Sequence, residues 1–202
     1  TSSYTGFKAG TMGSNVIYTL PTADGTSNQV LTTNGSRTLS WTTVARAIDD
    51  LTDAKYGGTN FTNSMLLGHE STGTLNNALN NTGIGANALM SLSSGDDNVA
   101  IGYQAGKSVN VGRSNTMIGK EAGFSATSGQ NNTLIGSSAG YSLTSTAGNN
   151  TFIGAAAGQA ATSASSSTAI GFETVVGVDV SNSVIIGAGA AVADYVVNGT
   201  AI

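Results

Sequence analysis

The stretch NNTLIGSSAG at residues 131–140 decides the fold, because it returns almost unchanged as NNTFIGAAAG at residues 149–158. Both copies contain an Ile-Gly step that sets a register for the surrounding sequence. The step recurs eight times, with Leu replacing Ile in the first copy, and its spacing is 17 residues except for one of 18 and one of 16. Its apolar residues are Leu67, Ile84, Ile101, Ile118, Ile135, Ile153, Ile170 and Ile186. A period of this kind predicts a solenoid of stacked coils.

The residues around the Ile predict one short strand in each coil. With the Ile numbered as position 0, position −2 is Thr or Val in seven of the eight copies, and β-branched residues favour strands. Side chains at −2 and 0 share a face. We assign this face to the inside of the coil, so that the Ile residues form the structural repeat core. Position −1 is also apolar or small, which means that the opposite face needs a cover, and another copy of the chain is the simplest one.

Three further positions carry structural signals. Position −3 is Asn in five copies and Ser in the other three, and an Asn amide can bond to the equivalent Asn one coil away. We therefore predict a polar ladder formed by Asn81, Asn98, Asn115, Asn132 and Asn150. Glycan or metal binding by these amides is the less favoured alternative. Gly at +1 and Ala at +4 would let neighbouring backbones approach closely.

The residues before the repeats follow a different pattern. Strand-like runs at 16–20, 29–33 and 39–43 are joined by the turn dipeptides Asp24-Gly25 and Asn34-Gly35, which predicts an antiparallel module. Trp41, the only tryptophan, is expected to anchor its core. Residues 45–51 are read as a short helix or connector.

The predicted fold class is all-β: a trimeric parallel β-solenoid or β-roll with coils of about 17 residues, preceded by a small antiparallel β module. The predicted domains are an N-terminal module and connector at 1–58, a solenoid of eight repeats at 59–193, and a C-terminal end strand or tail at 194–202. A further prediction concerns function, since this architecture suits a spacer or a display surface.

The composition excludes several partners. Only seven residues are Lys or Arg and the net charge is −4, so the chain lacks a basic surface for nucleic acid. No apolar run reaches the roughly 20 residues that a membrane-spanning helix needs. The absence of cysteine excludes disulfides and thiolate metal sites. Stability is therefore expected to come from repetition and association.

The sequence offers little for catalysis. The Ile-Gly-x-x-Ala-Gly blocks also fit the hexapeptide signature of left-handed β-helix acyltransferases, but that family needs three hexapeptides per coil and one fits here. The sole histidine, His69, has only Glu70 beside it as a carboxylate partner. Asp49-Asp50 and Asp96-Asp97 lack the spacing of a calcium motif. We therefore expect no enzyme activity and no catalytic, metal or cofactor site.

The segment LPTADGTSNQVLTTNGSRTLSWTT at residues 20–43 and the NNTFIGAAAG-type repeats resemble those of bacteriophage tail-fibre proteins. The resemblance implies a homotrimeric shaft or distal segment in the virion tail, of the kind that precedes a self-cleaving intramolecular chaperone. Its implied partners are other tail proteins and a bacterial surface receptor such as a glycan. The repeats are more loosely similar to the head repeats of trimeric autotransporter adhesins, whose chains form parallel β-rolls packed three at a time, and this alternative implies a bacterial cell surface.

Aromatic residues outside the proposed interior are the candidate receptor contacts. Tyr141 and Phe172 lie at +6 and +2 of their repeats, and Tyr195 lies beyond the last Ile-Gly step. The alternative is that they are ordinary rim residues of the coil.

Overall fold

The computed structural model describes residues 17–43, 54–68, 74–144, 147–174, 176 and 181–189. The chain divides into two units between Arg46 and Ala47. All regular elements in the described ranges are strands, as predicted, and no helix there could cross a membrane. The strands are β1 (Gln29–Thr33), β2 (Leu39–Thr43), β3 (Ala54–Tyr56), β4 (Met65–Leu67), β5 (Thr82–Ile84), β6 (Val99–Ile101), β7 (Thr116–Ile118), β8 (Thr133–Ile135), β9 (Thr151–Ile153), β10 (Thr168–Ile170) and β11 (Val184–Ile186).

The first unit contains the antiparallel hairpin that the sequence predicted. Strands β1 and β2 pair with Leu31 opposite Trp41. The turn is held by the Asn34 side chain, whose Oδ1 accepts hydrogen bonds from the backbone N–H groups of Ser36 at 2.8 Å and Thr38 at 3.2 Å. The run predicted at 16–20 is not a third antiparallel strand. Within its described part, Thr19 makes an isolated parallel bridge to Thr38.

The second unit is a parallel β-solenoid. Strands β4 to β11 lie side by side in chain order, each in register with the next. The spacing of about 17 residues is confirmed by the pairing of Thr116 with Thr133. Strand β3 pairs antiparallel with β4 at the start of this sheet. Strand β3 lies before the domain boundary predicted at residue 58, yet it belongs to the solenoid sheet. Its Ala-Lys-Tyr sequence contains no Ile-Gly step, so the repeat pattern did not predict this strand.

The interior of the solenoid lies on the opposite face of the strands from the one predicted. Position −1 is buried in every strand from β4 to β11, from Leu66 through Met117, Leu134 and Phe152 to Ile185. Alternation along a strand shows which residues share a face but not which face turns inward. The interior is narrow, and a Cβ on Gly158 would lie 2.4 Å from the Phe152 ring. The Phe152 ring therefore fills the space next to Gly158, where a larger residue would not fit.

The predicted repeat core is therefore wrong as an interior. Ile84, Ile101, Ile153 and Ile170 are each 37% exposed, and Ile186 is 69% exposed. The remaining three, Leu67, Ile118 and Ile135, are half-buried. All eight lie on the outside of the coil because position −1 occupies the inside.

Small residues and backbone hydrogen bonds complete each coil. The Ala residues at +4 are fully buried, as are most residues at +8; the first group is Ala88, Ala105, Ala122, Ala139 and Ala157. On the side of the coil away from the sheet, the Gly106 N–H donates to the Ala122 carbonyl at 2.9 Å, and the Ser108 N–H donates to the Phe124 carbonyl at 3.1 Å. Successive coils are therefore held together by main-chain bonds on both sides.

Candidate interaction surfaces

The outward side of the solenoid sheet forms a regular surface, which we call the outer sheet face. It consists of positions −2 and 0 of strands β4 to β11 and contains no charged residue. Its members are Met65, Leu67, Thr82, Ile84, Val99, Ile101, Thr116, Ile118, Thr133, Ile135, Thr151, Ile153, Thr168, Ile170, Val184 and Ile186. In-register pairing aligns them in two rows along the solenoid. One row is apolar throughout and the other combines Thr with Val and Met, so this uncharged face is a candidate interaction surface.

The glycine after each Ile sets the corner at the end of the strand. Gly119, Gly136 and Gly154 have φ angles of 131° to 134°, a conformation that side-chain-bearing residues rarely adopt. A Cβ on Gly136 would lie 2.4 Å from the carbonyl oxygen of Gly154 in the next coil. The close approach predicted for this position is therefore a stacking contact between successive glycines, and it keeps the strands of the outer sheet face evenly spaced.

The Asn residues at position −3 form a continuous row of buried hydrogen bonds. Asn115 Nδ2 donates to Asn98 Oδ1 at 3.0 Å and to the Gly129 carbonyl at 2.8 Å. Asn115 Oδ1 accepts from the backbone N–H of Asn132 at 3.1 Å and from its Nδ2 at 3.0 Å. Both donors and both lone pairs of the amide are thus used within the chain. The row runs through Asn81, Asn98, Asn115, Asn132 and Asn150.

Serines occupy the two ends of this row. The Asn81 N–H donates to Ser64 Oγ at 2.7 Å, and the Ser167 N–H donates to Asn150 Oδ1 at 3.1 Å. Ser183 Oγ, in the last described coil, is buried without a hydrogen-bond partner among the described residues. Because the Asn amides bond to one another and are buried, they have a structural role and are not presented to a metal ion or a glycan.

Two of the three candidate receptor residues, Tyr141 and Phe172, lie in the described part of the chain. Tyr141 stacks on Phe124 with a centroid distance of 4.8 Å, and Lys107 Nζ lies 5.1 Å from the centre of the Phe124 ring. This half-buried column lies on the turn side of the coils. Phe172 is separate from it and 56% exposed. Tyr195 lies outside the described residues.

Two adjacent acidic side chains in the described coils serve as structural acceptors. Asp96 Oδ1 accepts from the Leu79 N–H at 3.0 Å, and Asp97 Oδ1 accepts from Asn80 Nδ2 at 2.9 Å. These bonds connect one coil to the preceding one. No group of three or more His, Cys, Asp or Glu residues that could hold a metal ion occurs in the described part of the chain. His69, Glu70, Asp49 and Asp50 lie outside it.

A second apolar surface lies on the first unit and was not predicted. Leu31, Trp41 and Leu39 share one face of the β1–β2 hairpin. This face, together with Tyr18 and Leu20, we call the hairpin face. A cavity of about 410 Å³ on it is lined by Tyr18, Leu20, Leu31, Thr33 and Leu39. In an antiparallel pairing, Leu31 lies opposite Trp41 and Thr33 opposite Leu39. This cross-strand pattern could have predicted the apolar face from the sequence.

Trp41 does not act as the predicted core anchor within a single chain. It is 37% exposed, its Nε1 donates to the Ala23 carbonyl at 2.9 Å, and a Cβ on Gly25 would lie 2.5 Å from its ring. The indole is therefore fixed by the 23–25 turn rather than by a core.

The fold defines the chain as a β-solenoid repeat protein. No protein-family model, curated protein or solved structure matches it.

Proposed function

We propose that this chain is a structural segment of a homotrimeric fibre of the bacteriophage tail-fibre type, which supports attachment to a bacterial surface. The outer sheet face carries the proposal, because it is a long, uncharged surface whose Ile side chains are only partly covered in a single chain. The likeness of residues 20–43 and of the repeats to tail-fibre sequences supplies the kind of fibre and the number of chains.

The extent of the outer sheet face favours a permanent cover. Neighbouring strands in a sheet are about 4.8 Å apart, so eight strands give rows of Ile roughly 35 Å long. Burying apolar surface contributes about 25 cal/mol for each Å² removed from water. Summed along two rows of side chains, this is a large driving force for association.

Copies of the same chain suit this surface better than an unrelated partner. A second copy has the same coil period, so its rows of Ile and Thr match those of the first along the entire length. Hydroxyl groups at Thr116, Thr133 and Thr151 can exchange hydrogen bonds across such a contact. Three copies around one axis form a closed assembly, which limits growth sideways.

The function of the assembled rod follows from its geometry. The sheet faces the common axis, and the turn side of each coil faces outward. Exposed residues there, including Tyr103 and Phe172, are displayed at regular heights along the rod. The solenoid thus acts as a spacer and a display surface that presents contacts to the host.

The mass of the purified chain in solution tests the proposal directly. Light scattering should give three times the chain mass of 20.0 kDa, and this mass should persist in mild denaturant. A monomer would overturn the proposal, and a stable dimer would overturn the trimeric form of it.

Two matched variants test the role of the outer sheet face. Ile153→Asp places a charge on this face, and Ala155→Asp places one two residues later on the exposed turn side. Ile153 is already 37% exposed in one chain, so the substitution should spare the coil and prevent assembly, whereas Ala155→Asp should assemble normally. Circular dichroism checks that both retain their β-structure. Normal assembly of Ile153→Asp would contradict the proposed interface.

A further inference from the structure

We propose that the first unit forms a second, separate contact between copies of this chain, in which the hairpin faces of the copies pack together and bury Trp41. The proposal rests on the proposed function, because it takes its occupant to be the other chains of the same fibre. It concerns a different surface from the outer sheet face, and it can fail while the fibre assignment stands.

The hairpin has no core of its own. None of residues 17–43 is buried: Leu39 is half-buried, and the exposed large apolar side chains range from Trp41 at 37% to Ile17 at 79%. An isolated two-stranded hairpin is marginally stable at best in water. Its ordered turn and the fixed position of the indole therefore need a source of stabilisation beyond the described residues of this unit.

The two faces of the hairpin differ in chemistry. The hairpin face carries Leu31, Leu39 and Trp41 and encloses the cavity of about 410 Å³, whereas the opposite face carries Thr32 and Thr42, whose hydroxyls lie 2.6 Å apart. The hairpin face contains no charged residue. A surface of this composition is suited to another apolar surface and not to a polar or charged ligand.

Other copies of the same hairpin are the occupant that these observations favour. A fibre joined along its solenoids holds the hairpins of its chains at a high effective concentration, so a weak contact between them becomes an intramolecular one. Ile17, which is 79% exposed and does not line the cavity, provides an apolar side chain for the cavity of a neighbour. An unrelated partner would lack the high effective concentration that a shared fibre provides.

Trp41 provides a built-in probe, because it is the only tryptophan in the chain. In the intact assembly its fluorescence should be blue-shifted and severalfold less sensitive to acrylamide than in the disassembled Ile153→Asp variant. Equal protection of Trp41 in the assembly and in that monomer would show that the chain covers its own hairpin and would overturn the inference. Equal exposure in both would overturn it as well.

Two adjacent residues of β1 give a matched pair of variants. Leu31→Asp alters the hairpin face, whereas Val30→Asp alters the opposite face, where Val30 is 44% exposed. We expect Leu31→Asp to expose Trp41 without changing the mass of the assembly, and Val30→Asp to change neither. A protected Trp41 in Leu31→Asp would contradict the inference. A monomeric unsubstituted chain would instead refute the fibre assignment, so the two failures are distinguishable.

Discussion

At the scale of single residues, the Asn row shows how a buried polar group can stabilise a repeat. Each inner amide receives two hydrogen bonds from the next coil and donates one to the preceding Asn, as Asn132 does with Asn150 and Asn115. A buried amide that kept only part of this set would cost about 1–3 kcal/mol for each unsatisfied group. The row therefore favours one register of stacking over all others.

The neighbouring residues Asn131 and Asn132 test this role, because Asn131 is exposed and Asn132 is buried. Asn132→Asp removes the donors to Asn115 Oδ1 and the Ala147 carbonyl and places a carboxyl group beside those oxygens. At pH 7 we expect a loss of more than about 2 kcal/mol. Chemical denaturation at a fixed protein concentration measures the loss.

The same variant should depend on pH. Burial and the facing oxygens raise the pKa of the introduced carboxyl above its unfolded value of about 3.9. The folded state then holds the proton more tightly than the unfolded state does. The stability of the variant therefore falls as the pH rises from the unfolded pKa through the folded pKa, and it recovers on acidification. Asn131→Asp is the control: it loses only an exposed hydrogen bond of 3.3 Å to Asn149 Oδ1, so its effect and its pH dependence should be much smaller. A flat difference for Asn132→Asp would argue against a buried row.

The sequence predicted the Asn row because amide chemistry is visible in a repeat, but it could not predict which face of the strand turns inward. Met117 and Ile118 are both apolar, so polarity does not distinguish position −1 from position 0. The structure shows the difference in burial: Met117 lies in the interior with Ala122 at +4, and both are fully buried. That difference becomes visible when the coil closes.

At the scale of elements, the Ile-Gly step joins a strand to a corner that only glycine can form. The glycines of successive coils stack on one another, and the backbone oxygen of Gly154 occupies the space that a side chain on Gly136 would need. The step is therefore a requirement of stacking as well as of local conformation. This explains why the Gly is invariant across the eight copies.

Two Gly→Ala variants separate these requirements. Gly136→Ala combines a φ of 134° with a contact of 2.4 Å, whereas Gly57→Ala combines a φ of 60° with open space. We expect Gly57→Ala to cost about 1 kcal/mol and Gly136→Ala to cost at least about 3 kcal/mol, since backbone atoms cannot move aside. Denaturation midpoints compare the two. Equal costs would show that the corner and its stacking contact are no more demanding than an ordinary left-handed turn.

Strand β3 shows the limit of reading a fold from repeats. Lys55 pairs with Leu66 across an antiparallel ladder, but nothing in three residues marks them as a strand. Hairpin β1–β2 was easier to predict, since Asn34-Gly35 is a turn signal and the flanking residues alternate. The run at 16–20 also precedes a turn dipeptide, Asp24-Gly25, yet its described part makes only the isolated bridge of Thr19 to Thr38.

At the scale of the whole molecule, each coil of the solenoid contacts mainly the coils next to it. The stability of the solenoid is therefore close to a sum over coils. Each coil supplies one strand, one Asn or Ser at −3, and one glycine corner. Removing a complete coil should leave the remaining interactions intact, because the coils on either side have equivalent residues.

Deletion of residues 115–131 removes one coil and joins Ser114 to Asn132 in the same register. We expect this variant to fold, to assemble with an unchanged number of chains, and to melt at a modestly lower temperature. Deletion of residues 115–122 removes half a coil and should abolish the cooperative transition. Calorimetry and light scattering compare the two variants, and similar behaviour of both would be incompatible with independent coils.

The antiparallel direction of β3 gives the solenoid one end that differs from every internal junction. Joining two rods head to tail would require a parallel strand beside β4, but β3 occupies that edge and runs in the opposite direction. Lys55 adds a positive charge there, a common feature of strands that resist uncontrolled pairing. Three residues without a repeat signature thus cap the first coil, so that a second rod cannot extend the parallel sheet by pairing with β4.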